Sequence, residues 1–121
     1  MELRAETVPQ LVTILIKVLG APIIAIIAGV KKTSIVREWA KGESIPDVIV
    51  QKRLRSTLQV INAFDGRGGD DTIRAWISGT ENSLIDEHND GSPALFLRDN
   101  LSEEKVRKII AAAQRFAWCE Y

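Results

Sequence analysis

The sequence predicts an all-α protein of about six or seven helices. Three observations carry that expectation. Apolar residues recur at spacings of three and four along much of the chain, no segment sustains an alternation of period two, and no Asn-Gly or Asp-Gly turn sits between alternating runs. At 121 residues, 45% hydrophobic and 26% charged, the chain is neither disordered nor fibrous in composition. It is long enough for one sizeable core and too short for two independent ones, so one unit with a joint in it is expected.

The elements follow in order. A first helix is expected over residues 8–19, with Leu11, Ile14, Leu15, Val18 and Leu19 as its buried stripe. A second begins with Pro22 in its first turn and ends at Gly29, which suits a left-handed cap. A third covers about 33–41, with Ile35, Val36 and Trp39 turned inward, and is stopped by Gly42 and the pre-proline Ile45. Asp47 is placed to cap a longer fourth helix carrying Val50, Leu54, Leu58, Ile61 and Phe64 on one face.

Asp65-Gly66-Arg67-Gly68-Gly69 then breaks the pattern and is read as the joint. It divides a domain over 1–64 from a smaller helical bundle over 65–121. Asp70 and Asp71 favour a helix start, and residues 72–78 place Ile73, Trp76 and Ile77 on one side before Gly79 ends the run. Residues 80–91 read as a polar loop pinned at Leu84 and Ile85. Ser92-Pro93 starts a short helix reaching about Arg98, and Ser102-Glu103-Glu104 starts the last, on Val106, Ile109, Ile110, Ala113 and Phe116.

The twenty residues 11–30 hold a single charge, Lys17, and so resemble a membrane span in composition. Gln10, Thr13 and Lys17 share one helical face, Gly20-Ala21-Pro22 interrupts the run, and residues 1–6 are not basic, so neither a span nor a signal peptide is expected. One cysteine, Cys119, and one histidine, His88, supply neither an internal disulfide nor a closed zinc site. A reducing, cytoplasmic location is the expectation, with no cofactor and no metal.

The zero net charge conceals an asymmetry. Residues 1–64 carry nine basic against five acidic side chains, and residues 65–121 carry seven against eleven. A mildly basic front half is compatible with a polyanion, and an acidic back half suits a protein surface.

Helices two and three have the spacing of a helix-turn-helix: the small Ala25 four residues before Gly29, a turn at Gly29-Val30, and apolar locking residues beyond. That spacing leaves Thr33, Ser34, Arg37 and Lys41 on the outward side of the third helix, with Lys31 and Lys32 at its N-terminal end. Arg37 suits a guanine edge, Thr33 and Ser34 suit bases or phosphates, and the three lysines suit backbone phosphates. Lys52, Arg53 and Arg55 form a second basic cluster. Glu38, in the middle of the third helix, counts against nucleic acid, and an ordinary αα-hairpin with a solvated basic face is the competing interpretation.

From Gly20 to Phe64 the sequence resembles the Xre-type helix-turn-helix, through Ala-Gly-Val-Lys-Lys-Thr-Ser-Ile at 28–35, Val36-Arg37-Glu38-Trp39-Ala40-Lys41-Gly42, and Arg53-Leu54. Beyond the joint, Ala75-Trp76-Ile77, Asn82, Ile85, Pro93-Ala94-Leu95-Phe96-Leu97, Val106 and Ile109-Ile110 are similar to the toxin-binding domain of the Xre/MbcA/ParS antitoxins. Two departures stand out. The distance from Gly29 to Trp39 is one residue longer than usual, leaving Ile35 and Val36 as alternative locking residues. About three extra residues also lie between Asn82 and Pro93, around 87–90.

The resemblance implies a type II antitoxin whose front half dimerises and binds operator DNA. Its back half would bind a RES-domain toxin that destroys NAD, the last helix and tail lying over the toxin's cleft. Arg115, Trp118, Glu120 and Tyr121 are the partner-binding residues so implied; large aromatics are enriched among interface anchors. Asn82 suits either a turn cap or a backbone bond within the loop, and Trp76 suits core packing.

Enzymatic readings find little support. His88 has no serine or cysteine nucleophile in a recognisable context, Asp70-Asp71 and Glu103-Glu104 sit where helix starts favour negative charge, and Gly66-Arg67-Gly68-Gly69 lacks the Lys-Ser/Thr of a phosphate loop. Two binding readings compete with the antitoxin: a stand-alone regulator whose C-terminal half only dimerises, and a toxin-binding protein whose front half has no DNA role.

Overall fold

The computed structural model describes residues 2–119. Those residues form seven α-helices and one 3₁₀ turn, with no strand among them beyond an isolated backbone bridge between Ile85 and Asp90. The helices are α1 (Val8–Leu19), α2 (Ala21–Ala28), α3 (Thr33–Lys41), α4 (Val48–Ala63), α5 (Gly69–Ser78), α6 (Pro93–Asp99) and α7 (Glu103–Cys119), and the 3₁₀ turn is Asn82–Leu84.

Local sequence accounts for most boundaries. At α1 the Thr7 hydroxyl accepts from the Gln10 N–H at 3.2 Å, and the Gln10 side chain accepts from the Thr7 N–H at 3.3 Å. This reciprocal box satisfies two amides that would otherwise be orphaned. Asp47 caps α4 by accepting from the Val50 N–H at 2.9 Å, and Ser92 caps α6 through the Leu95 N–H at 3.2 Å. α5 begins at Gly69, three residues ahead of the expected start, placing Asp70 and Asp71 in its first turn.

α1 runs through the middle of the core, packing on α2, α3, α4 and α5; α2 lies on α6, and α4 on α7. Its buried stripe is Leu11, Val12, Leu15, Val18 and Leu19. Ile14, expected in that stripe, is only partly buried while Val12 is enclosed. A helix covered on several sides buries more than one narrow face. α4 behaves the same way: Val50, Leu54, Leu58, Ile61 and Phe64 are buried as expected, and Thr57 and Val60 join them. The Thr57 hydroxyl is satisfied by donating to the Arg53 carbonyl at 2.8 Å.

The α1–α2 pair is bent by 119°, and no single described helix is long and apolar enough to cross a membrane. The apolar run 11–30 is instead spent on the core, where Ile24, Ala25, Ile27 and Ala28 join the α1 residues.

The glycine segment turns the chain without dividing the core. Gly66, Gly68 and Gly69 all take positive φ, and a Cβ on Gly68 would stand 2.7 Å from the Thr72 side chain. Across that turn Phe64, Trp76 and Phe116 meet as three rings, with centroids 5.5 Å (Phe64–Trp76), 6.1 Å (Phe64–Phe116) and 6.2 Å (Trp76–Phe116) apart. Residues ahead of α1 are also tied down. Leu3 exchanges two backbone bonds with the Asn62 amide at 2.8 and 2.9 Å, and Arg55 donates to the Ala5 carbonyl at 2.7 Å.

One pinning residue of the 80–91 loop is corrected. Leu84 is fully buried, but Ile85 is 52% exposed. Ile85 has extended backbone, φ −74 and ψ 127, following the helical turn. Adjacent side chains leaving such a turn cannot both face the core, so the Leu84 contact sends Ile85 outward.

Candidate nucleic-acid and partner interfaces

α3 is held between two matching turns. At its front, Gly29 adopts φ 81, the Val30 N–H donates to the Ala25 carbonyl at 3.0 Å, and the Gly29 N–H donates to the Ile26 carbonyl at 3.1 Å. At its back, Gly42 takes φ 76 and the Glu43 N–H reaches the Glu38 carbonyl at 2.9 Å. Both are helix ends closed by a left-handed residue and a six-to-one bond. Val36 is fully buried and Trp39 nearly so, whereas Ile35 is only partly buried, which makes Val36 the residue that locks α3.

That rotation leaves Lys31, Lys32, Ser34, Arg37 and Lys41 exposed and Thr33 half-buried. Lys31, Lys32, Ser34 and Lys41 make no side-chain hydrogen bond or ion pair among the described residues; Arg37 donates to the Thr33 hydroxyl at 2.9 Å. No side chain caps the N-terminus of α3, where Lys32 is the capping residue. Open amides at a helix start, flanked by two lysines, favour an anion such as a phosphate. Glu38 is exposed on the same helix and is the one acidic side chain among these groups.

The second basic cluster resolves differently. Arg53 donates to the Ala28 carbonyl at 3.0 Å, tying α4 to the end of α2, and Arg55 reaches Ala5. Their guanidiniums hold backbone in place, and of the three only Lys52 extends without a side-chain bond among the described residues.

The C-terminal candidates lie on α7, with Glu120 and Tyr121 outside the described residues. Trp118 is 57% exposed, and the Arg67 guanidinium carbon stands 4.2 Å from its ring centroid. Arg67 Nε also donates to the Ala117 carbonyl at 2.8 Å, so the glycine segment clasps the end of α7. Arg115, although exposed, donates to the Ser83 hydroxyl at 3.2 Å.

Ser83 belongs to a network that periodicity did not reveal. Its N–H and hydroxyl both donate to the Glu81 carboxylate, at 3.1 and 2.8 Å, and the Trp76 indole N–H donates to the other carboxylate oxygen at 3.3 Å. Partial burial pushes the Glu81 carboxyl up, but the Ser83 and Trp76 hydrogen bonds and the nearby Arg115 charge outweigh it and hold the group below its ordinary value. Glu81 therefore caps the 3₁₀ turn, one of the two roles for which Asn82 was a candidate.

The 87–90 segment forms a tight loop around Asp86, whose carboxylate accepts from the His88 N–H at 2.8 Å and the Asn89 N–H at 2.9 Å. The His88 hydrogen bond leads the causes that hold the Asp86 carboxyl low.

Comparison with family models, with curated proteins and with solved structures found no match to this chain.

A third surface feature lies on the loop after α3 and the first turn of α4. Ile45, Val48 and Ile49 are 80%, 64% and 46% exposed. The signal was present as phase: with Val50 and Leu54 facing inward, Val48 and Ile49 fall off the buried stripe.

Proposed function

We propose that this chain is a non-catalytic antitoxin that acts by two binding events, gripping operator DNA through α3 and occluding a RES-domain, NAD-degrading toxin through the end of α7. The observation that carries the DNA half is the outward basic face of α3, with Lys31, Lys32, Arg37 and Lys41 exposed beside an uncapped helix start. α2 and α3 would serve as the helix-turn-helix. Doubled by dimerisation, the unit would span half-sites about 34 Å apart.

The toxin half is supported by the order of motifs along the chain and by the solvent-facing Trp118, an aromatic of the kind that anchors interfaces. The experiment is to read the neighbouring frame for a RES-domain protein and to co-express this chain with it. Co-purification and protection of cellular NAD are expected, and Trp118→Ala should weaken both.

The runner-up, a stand-alone regulator, draws on one observation: α5, α6 and α7 complete the core that α1, α2 and α4 begin. A C-terminal half occupied in that way needs no toxin, and in this alternative it serves only dimerisation. Failure to capture any RES-domain protein, with DNA binding intact, selects that alternative.

A further inference from the structure

α4 and α7 pack on each other, and Phe64, just beyond α4, meets Phe116 near the end of α7 with ring centroids 6.1 Å apart. The N-terminal parts of the same two helices leave a groove of about 600 Å³ between them. Small-ligand clefts commonly hold about 300–1,000 Å³. Lys52, Ser56 and Gln59 line it from α4, and Leu101, Val106 and Ile110 from the start of α7 and the loop ahead of it.

The two walls differ in chemistry. Lys52, Ser56 and Gln59 stand four and three residues apart and so form one stripe along α4. The ammonium, the hydroxyl and the amide make no hydrogen bond or ion pair among the described residues. Opposite them, Leu101, Val106 and Ile110 are only half-buried. One wall therefore offers unused donors and the other unused aliphatic surface.

Charge in the groove is positive. Glu103 and Arg107 lie 3.7 Å apart, both largely exposed, and offset each other. Arg55 gives one N–H to the Ala5 carbonyl but keeps its charge, and Lys52 adds a second with no acidic partner. Asp47, just ahead of the groove, is engaged in capping α4. A polyanion has no use for the aliphatic wall; a small molecule with one anionic end and an apolar body uses both.

We propose that this groove binds a small amphipathic anion, a monocarboxylate on a medium-length alkyl body. The carboxylate accepts from the Lys52 ammonium and the Ser56 hydroxyl, and the alkyl body lies along Val106 and Ile110. Because α4 and α7 stand on opposite sides of the glycine segment, the ligand bridges the two portions of the chain. The site goes beyond the proposed function: it requires neither DNA nor toxin, so its failure and the failure of that proposal are read separately.

The test is an amide NMR titration of the full chain with sodium octanoate, and in parallel with butanoate, octylammonium and octan-1-ol. Octanoate should give saturable shifts confined to the groove, on Lys52, Ser56, Val106 and Ile110. Butanoate and octylammonium should each bind at least about tenfold more weakly, the first for lack of apolar body and the second for its charge. Lys52→Gln should weaken octanoate at least about fivefold and leave octan-1-ol unchanged. Val106→Thr, a near-isosteric change on the other wall, should weaken both. Lys41→Gln, on the separate basic face of α3, should alter neither. Shifts that fail to saturate or that scatter over Ile45, Ile85 and Trp118, equal binding of octylammonium, or a Lys52→Gln variant that binds octanoate as the parent does would each overturn the proposal.

Discussion

The guanidinium of Arg67 stacks on the ring of Trp118 at 4.2 Å while its Nε bonds the carbonyl of the preceding residue, Ala117. One arginine from the glycine segment thus both closes the last turn of α7 and holds an exposed indole in a set orientation. The two contacts separate stability from recognition. Arg67→Ala should cost about 1 kcal/mol and speed amide exchange in the last turn of α7. Trp118→Ala should change stability by less than about 1 kcal/mol yet weaken capture of the proposed toxin at least tenfold. Equal loss of capture in the two variants would show that the ring acts only through its support of the helix.

The ring cluster of Phe64, Trp76 and Phe116 makes the two sides of the glycine segment fold together. Trp76→Ala should cost about 3–5 kcal/mol. Denaturant unfolding should remain a single transition, with probes placed before and after the segment reporting the same midpoint. A chain ending at Phe64 would uncover that residue along with the faces of α1, α2 and α4 that α5, α6 and α7 cover. It is expected to lack cooperative unfolding, which would appear as a broad, shallow thermal transition.

Gly29 tests the turn ahead of α3. With φ at 81 and the Arg53 guanidinium 3.5 Å from where a Cβ would lie, Gly29→Ala keeps enough space but strains the backbone. A destabilisation of about 1 kcal/mol is expected by thermal unfolding. Gly66→Ala takes a similarly left-handed backbone with nothing within 4 Å of the new carbon. It isolates the backbone cost from any disturbance of the Arg53 contact with Ala28.

Much of this architecture is visible in the order of residues, and the reasons differ by element. Capping residues and glycines mark the helix limits because their effects are local: Thr7, Asp47 and Ser92 each satisfy amides within three residues. The basic face of α3 is likewise legible, since one buried residue, Val36, sets the phase of a nine-residue helix. What periodicity could not supply is long range. The roles of Arg53 and Arg55 depend on carbonyls 25 and 50 residues away, and the Arg115–Ser83–Glu81 network joins α7 to a loop thirty-two residues earlier. Ile85 failed as a pin for a local reason, the change of backbone direction after the 3₁₀ turn, which composition alone does not show.

Glu81 predicts an acid response. Its folded carboxyl is held below the ordinary value of 4.5, so the folded state favours the ionised form. The associated stability is complete above the ordinary value and is lost as pH falls through the lower, folded one. Glu81→Gln should therefore be less stable than the parent at neutral pH, and the difference should shrink as the solution is acidified below 4.5. Unfolding free energies measured across that window check the sign. A gap that widens on acidification would contradict it.

The most direct measurement of the central claim is the salt dependence of binding to the DNA upstream of this chain's own reading frame. The account predicts that affinity falls steeply with salt, and that Lys31→Ala lowers the slope of log affinity against log salt by about one unit, the loss expected of a single phosphate contact. A slope near zero in the parent protein, or one that Lys31→Ala, Lys32→Ala and Lys41→Ala all leave unchanged, would contradict it.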